Sequence, residues 1–483
     1  MRHYTALKVL GVLLMLFSVT LLPPIGFSLW ADDGALLPFV AALALTLAAG
    51  GACYLPLRAA PNDLRIRDGF IVVVLFWSVL SAMGALPFLL LREPVIGLTD
   101  ALFESMSGLT TTGATVLTGI DDLPLSIRYY RQQLQWLGGM GIVVLAVAVM
   151  PMLGVGGMQL YRAEASGPVK HNKLTPRITE TAKGLWLIYV SLTAACGVAY
   201  FLAGMNAFDA LSHAFSTIAI GGFSTHDANL SHFNNNAINA VAIVFMLLAG
   251  LNFALHFTAW RARNFSVYWR DPEARVYFML ILALLIITVT VLMRYQEFDN
   301  AADNFMQGAL QVVSLVTTTG FTTADFSMWP AFLPVMLILA STAGGCAGST
   351  AGGMKIVRMI LLYKQGAREI SKLVHPNALM PVKLGGKPVP DNVINAVWGF
   401  LSLYILSYVV LLLLMSAGGA DPVTAFSAVT ACLNNLGPGL GDVAHNYASV
   451  SAMGKLVLTF AMLLGRLELF TLLVLFTPVF WRG

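Results

Sequence analysis

The sequence predicts an all-α integral membrane protein of ten transmembrane helices, and three observations carry that prediction. Only 11% of the 483 residues are charged, against 58% hydrophobic, whereas a soluble domain carries about 25% charged residues. Apolar runs of spanning length, roughly 20 residues each, recur at about 7–30, 35–57, 69–92, 132–160, 179–204, 235–260, 274–295, 330–363, 392–417 and 450–480. The segments between them alternate in charge. Arg2 and Lys8, Arg58 to Arg67, Arg162 to Lys183, Arg261 to Arg275, Lys355 to Lys387, and Arg482 put 22 of the 28 Lys and Arg on one side of a ten-span chain. By the positive-inside rule that side is the cytoplasm, and both termini lie there.

The first run, Leu7 to Trp30, is too long for a typical signal h-region and is expected to remain as a span. The opposite side is acidic and holds 15 of the 24 Asp and Glu, among them Glu104, Asp121, Asp209 and Asp227. A solvated face explains any one of these acids. Together they would form an acidic mouth that concentrates cations. Cys53, Cys196, Cys346 and Cys432 lie far apart with no CxxC or Cys/His spacing, and read as small buried residues. By spacing, His213, His226, His232 and His375 form no metal-ligand cluster. His213 and His226 read as ordinary polar residues of the outer mouth, with proton sensing as the alternative. No catalytic order or paired acids can be found, so an enzyme, a cofactor and a nucleic-acid partner are not expected.

The outward connections hold the repeat that carries function. Aligned on one glycine, they read DALFESMSGLTTTG to Gly113, DALSHAFSTIAIGG to Gly222, QGALQVVSLVTTTG to Gly320 and TAFSAVTACLNNLG to Gly437. Ser107, Ser216 and Ser314 stand six before the glycine, with Ala431 in the fourth copy. Each copy sits between two spans on the acidic side. Non-helical backbone at membrane depth is tolerated only where protein buries it or water lines it. Half-helices that dip in and return as extended strands around an axis meet that condition, and their carbonyls can replace an ion's hydration shell.

Two further features fall at membrane depth. In the eighth run, Gly344, Gly345, Gly348, Gly352 and Gly353, followed by Lys355, are a poor prescription for straight helix, at about 1 kcal/mol per glycine. Close packing through small residues is one explanation, and an unwound hinge beneath the loops is the other. The phosphate-loop pattern GxxxxGK[ST] is not met. Arg466 lies inside the last run, two residues before Glu468, where the pair would diverge on a helix. Arg466 either snorkels or pairs structurally, or faces a water-filled path as a positive barrier.

TTTGAT (110–115), AIGGFST (219–225), TTTGFTT (317–323) and NNLGPGLG (434–441) resemble the four filter loops of the Trk/Ktr/HKT superfamily of potassium transporters. The likeness covers nearly the whole chain, including two leading helices and the closing GRLELFTLLVLFTPVFW. It implies potassium uptake across a bacterial inner membrane through one chain of four helix–loop–helix units. Carried over by position, potassium-coordinating carbonyls are expected from Thr111, Thr112 and Gly113, from Ile220, Gly221 and Gly222, from Thr318, Thr319 and Gly320, and from Asn435, Leu436 and Gly437. The resemblance favours the hinge at 344–353 and Arg466 as the gate. It further implies a TrkA-like ring of cytosolic nucleotide-binding regulatory subunits and a homodimer. Expected divisions are two leading helices at 1–68, then units at 69–165, 166–268, 269–375 and 376–483. Only one glycine is shared among the loops, so selectivity over sodium is expected to be weaker than in a symmetrical filter. A secondary transporter coupling potassium to protons or sodium is the alternative, since broken midplane helices fit it too.

Overall fold

The computed structural model describes residues 3–59, 66–141, 178–330 and 332–482. Among them, six helices are long and apolar enough to cross a membrane: Tyr4–Ala31, Leu36–Leu57, Arg67–Leu89, Lys183–Leu202, Pro272–Tyr295 and Asp391–Ala417. They fall on six of the ten apolar runs, and this is a multi-pass membrane protein. Two more runs are sharply bent pairs, Asn236–Ala249 with Phe253–Ala262 at 93° and Ala452–Arg466 with Phe470–Phe476 at 108°. The run at 330–363 divides into Leu333–Ala340 and Ile356–Val374, with the glycine-rich stretch between them. The run at 132–160 begins as helix Leu125–Gly139 and then passes outside the described residues.

The bends have local causes. Asn252 caps the helix that begins at Phe253, its side chain accepting from the Ala254 amide at 2.8 Å. The freed Gly250 carbonyl accepts from Cys346 N at 2.9 Å, and Phe253 N donates to Gly348 O at 3.0 Å. The glycine-rich stretch therefore satisfies the backbone groups that the bend releases. At the last bend, Glu468 and Leu469 both have positive φ, 54° and 52°.

Four short helices occupy the outward connections: Leu98–Leu109, Ala207–Ala219, Ala301–Val316 and Pro422–Leu433. Three begin at side-chain caps. Asn206 accepts from Asp209 N, Asn300 from Asp303 N, and Asp421 from Val423 N, at 2.8–2.9 Å. The first starts at Gly97 without one. These half-helices share one packing pattern. Each touches the long helix before it, the helix after it, and the inner helix of the preceding unit. Leu98–Leu109 thus packs on Ala452–Arg466, Ala207–Ala219 on Leu125–Gly139, Ala301–Val316 on Asn236–Ala249, and Pro422–Leu433 on Leu333–Ala340. The order is cyclic and joins the end of the chain to its beginning.

The expectation of an all-α chain needs one correction. Lys383–Leu384 and Lys387–Pro388 pair as a two-stranded antiparallel hairpin. Gly385 and Gly386 turn it, at φ 58° and 81°, the two consecutive positive values a tight hairpin turn requires. Its tip leans on Pro272, since a Cβ at Gly385 would lie 3.3 Å from the proline ring.

Candidate ion pore

All four half-helices end in the same backbone motif. The residue before each aligned glycine donates its amide to the carbonyl five residues back: Thr112 to Ser107, Gly221 to Ser216, Thr319 to Ser314 and Leu436 to Ala431, each at 2.8 Å. One residue earlier, Thr111, Ile220, Thr318 and Asn435 adopt left-handed φ of 56°, 55°, 66° and 54°. This is a Schellman cap, yet three of its left-handed residues are β-branched, where such backbone costs about 1–2 kcal/mol each. Strain of that kind persists where a function needs the geometry.

Left-handed φ recurs two residues on at Gly113 (80°), Gly222 (80°) and Gly320 (85°), while Gly437 stays outside that region. Successive carbonyls alternate in direction along a regular strand. Alternating the sign of φ turns them toward one side instead. The four loops also touch in cyclic order. A Cβ on Gly113 would strike the Gly221 carbonyl, one on Gly222 the Thr319 carbonyl, one on Gly320 would come 3.2 Å from Gly437 N, and one on Gly437 2.6 Å from the Gly113 carbonyl. Glycine is required here by close approach as well as by φ.

Of the twelve residues expected to present carbonyls, three have theirs engaged by side chains. Gly221 O accepts from Gln135 Nε2 at 2.6 Å, Gly437 O from the Tyr447 hydroxyl at 2.8 Å, and Gly222 O from Asn229 Nδ2 at 3.3 Å. Among the described residues, no group donates to the carbonyls of Thr111, Thr112, Gly113, Ile220, Thr318, Thr319, Gly320, Asn435 or Leu436. All but Gly113 are buried. Buried carbonyls without a donor are rare, and eight in one place, with that of the partly buried Gly113, form a ready set of cation ligands. Above them opens a cavity of about 280 Å³, floored by Gly113, Gly222, Gly320 and Gly437.

Sequence reasoning missed what supports the loops from behind. Glu104, counted above among the acids of the mouth, is fully buried. Its carboxylate accepts from Arg131 Nε at 2.8 Å, Val116 N at 3.0 Å and Thr115 Oγ1 at 3.0 Å. Arg131 in turn donates to Ser224 O at 2.9 Å and lies 4.2 Å from the centre of the Phe223 ring, so it ties the first loop to the second. The available signal was one acid among those assigned to the mouth and one arginine immediately before the apolar run at 132–160. Asn435 Nδ2 reaches Thr112 Oγ1 at 3.1 Å and joins the fourth loop to the first.

The glycine-rich stretch crosses directly beneath. Gly352 N donates to Thr318 Oγ1 at 2.7 Å, Gly353 N to Asn434 O at 3.0 Å, and Thr350 Oγ1 to Ile218 O at 2.9 Å. It therefore touches the inner ends of the second, third and fourth loops. Gly344, Gly348 and Gly353 have φ of 65°, 77° and 72°, and Gly345 sits 2.8 Å, by its Cβ position, from Gly250 O. Lys355 is buried, with Nζ on the Ala351 carbonyl. One oxygen of Glu273 accepts from both Ala347 N (2.7 Å) and Val357 N (3.0 Å), at the two ends of the crossing. Arg466 fills the first quadrant, with Nη1 3.2 Å from Thr111 Oγ1 and Nη2 2.6 Å from Gly138 O. Glu468, expected to diverge from it, pairs with Arg358.

At the rim of the cavity His226 contacts Asp121 and stacks on His232, with ring centres 3.5 Å apart. Burial pulls the His226 pKa down, but Asp209 and Asp121 outweigh it and hold the imidazole above its ordinary value. Against partial burial, the His226 contact and the Asp227 amide hold Asp121 below the usual carboxylate range. His213 lies elsewhere, fully buried between the Asp209 carbonyl and Ser224 Oγ. Of the four unpaired cysteines, Cys196, Cys346 and Cys432 are buried as expected, whereas Cys53 is only partly so.

A helical multi-pass protein with half-helices converging on buried, donor-free carbonyls belongs to the class of membrane cation-transport proteins. The TrkH family, described as "Cation transport protein", matches residues 37–482, and the chain belongs to it. It is 54% identical over 485 residues to the Trk system potassium uptake protein TrkH of Vibrio parahaemolyticus, covering all of both chains. It is 52% identical over 481 residues to the protein of that name from Escherichia coli K12, covering 99% of this chain and 100% of that one. The crystal structure of the potassium transporter TrkH from Vibrio parahaemolyticus superposes with a TM-score of 0.91, at 51% identity over the whole of both chains.

Proposed function

We propose that the chain takes up potassium across a bacterial inner membrane through a single-chain pore whose four loops act as one pseudo-tetrameric selectivity filter. The observation that carries this reading is the set of nine donor-free carbonyls, eight of them on buried residues, at the meeting point of four loops in cyclic contact. The names borne by the relatives point the same way. On this reading ten spans make two leading helices and four units with the boundaries given above, and both termini are cytoplasmic. The residues at 111–113, 220–222, 318–320 and 435–437 form the filter. The stretch from Gly344 to Lys355 and Arg466 close the path beneath it, the loop by occupying it and the guanidinium by its charge. A TrkA-like ring docking on the basic cytoplasmic face and a homodimer of this chain complete the proposed assembly.

The purified chain in liposomes provides the test. A reversal potential that follows only the potassium gradient is expected, and one that shifts with pH or sodium would establish coupled transport instead. Gly113→Ser should lower the potassium-to-sodium ratio, because a side chain at φ 80° faces the Gly221 carbonyl. An unchanged ratio would remove Gly113 from the filter.

A further inference from the structure

Ion passage needs no imidazole, yet two stand at the rim beside a carboxylate from another unit. Among the described residues, Asp121, His226 and His232 are the one group of three or more His, Cys, Asp or Glu whose ligand atoms all lie within 4.8 Å of one another. The contact between His226 and Asp121 accounts for the first ring. It does not account for His232, which is exposed and makes no hydrogen bond to the described residues. Both rings pack edge-on against Phe233, at 5.4 and 5.2 Å.

The second ring nitrogen of His226 supplies independent support. Nε2 lies 3.4 Å from Asp209 Oδ2, leaving Nδ1 directed at the cluster. Asp209 is buried and held by Thr225 Oγ1 and Asn206 Nδ2, both at 2.6 Å. A metal-ligating histidine characteristically gives its other nitrogen to such an anchored carboxylate, which fixes the ring and raises its basicity.

We propose that Asp121, His226 and His232 bind one transition metal ion of the zinc class at the outer mouth, and that its occupancy slows ion entry. Two imidazoles and one carboxylate oxygen suit a borderline metal rather than potassium, magnesium or calcium, and leave a fourth position for water. Tetrahedral bonds of about 2.0–2.1 Å need ligand atoms about 3.3 Å apart; His226 Nδ1 and Asp121 Oδ1 lie closer than that and part as the half-exposed Asp121 side chain swings back, while the exposed His232 side chain turns to complete the set. The ion takes the place of the proton that His226 shares with Asp121, and binding releases it.

The effect on entry rests on the pore reading above and follows from position. Asp121 and Asp227 exchange backbone-to-carboxylate bonds at 3.1 and 3.3 Å, so the metal would rivet a seam between the first and second units. Asn229, on the same segment, holds the Gly222 carbonyl and faces Thr322 N at 3.4 Å. The metal also adds positive charge beside the cavity that cations must enter.

Binding is read without conduction, by Co2+ absorption and by Zn2+ titration of the full-length chain in lipid nanodiscs. One ion per chain is expected, with visible cobalt bands that Zn2+ abolishes. His232→Ala on an exposed side chain, and separately Asp121→Asn, should each loosen Zn2+ by more than about tenfold, the least that loss of a partner around a metal costs. No stoichiometric binding, or native affinity in His232→Ala, overturns the site. In liposomes, outside Zn2+ should slow potassium flux through the native chain and not through His232→Ala, whose metal-free flux stays native. Binding that leaves flux unaltered overturns the effect on entry while the site stands, and failure of the pore reading leaves the cobalt result unaffected.

Discussion

Replacing Arg131 by Met should be among the most damaging single changes outside the carbonyl ring itself. The side chain is fully buried and makes three connections at once: to Glu104 at 2.8 Å, to the Ser224 carbonyl at 2.9 Å and to Thr115 Oγ1 at 3.1 Å. Methionine fills much of the volume but strands the buried Glu104 carboxylate, at a cost of about 3–5 kcal/mol. Adding Glu104→Gln removes the stranded charge, and the amide oxygen can still accept from Val116 N and Thr115. What then remains is chiefly the unpaired Ser224 carbonyl, about 1–3 kcal/mol. The double variant should therefore be more stable than Arg131→Met alone by about 2 kcal/mol. SDS titration in mild detergent measures the cycle, and the potassium-to-sodium ratio in liposomes should fall in step as the first two loops separate. If the two substitutions simply add, or if Arg131→Met unfolds with the native midpoint, the pair does not brace the loops.

Two predictions concern the crossing beneath. Gly352→Ala puts a Cβ against the Asn434 carbonyl, so the loop must shift away from the fourth quadrant; a higher basal potassium leak is expected, and an unaltered leak would mean that the stretch does not obstruct the path. Arg466→Ala removes the guanidinium from Thr111 Oγ1 and Gly138 O and should raise inward current, whereas native current would take Arg466 out of the gate.

The TTTG-type loops were legible because their signal is contiguous: a short helix, a cap and a glycine lie within fourteen residues, four times over. The tie between Glu104 and Arg131 was not legible, because hydropathy assigns a charge to a side of the membrane and says nothing of its depth. Glu104 was accordingly grouped with the mouth acids while its partner stood 27 residues away. The same limit hid the contact of His226 with Asp121, 105 residues apart, behind an unremarkable histidine spacing. Apolar runs at 235–260 and 450–480 looked continuous because hydropathy is averaged over a window, which isolated residues such as Asn252, Lys455, Arg466 and Glu468 do not interrupt. Their bends come from the Asn252 cap, the donors of the glycine-rich stretch and the positive φ at Glu468 and Leu469, none of which composition records.

Glu273 gives the crossing segment an unusual mechanical status. A single carboxylate oxygen holds Ala347 and Val357, and the residue before it, Pro272, bears the tip of the Lys383–Pro388 hairpin. Hairpin, helix start and both ends of the crossing thus form a drawbar. On the gating reading proposed above, a push on the hairpin from the aqueous side would reach the crossing through Pro272 and Glu273, and through its bonds the inner ends of three loops. Opening, on that reading, would be coupled to ion choice, because the part that moves is bonded to the loops that select.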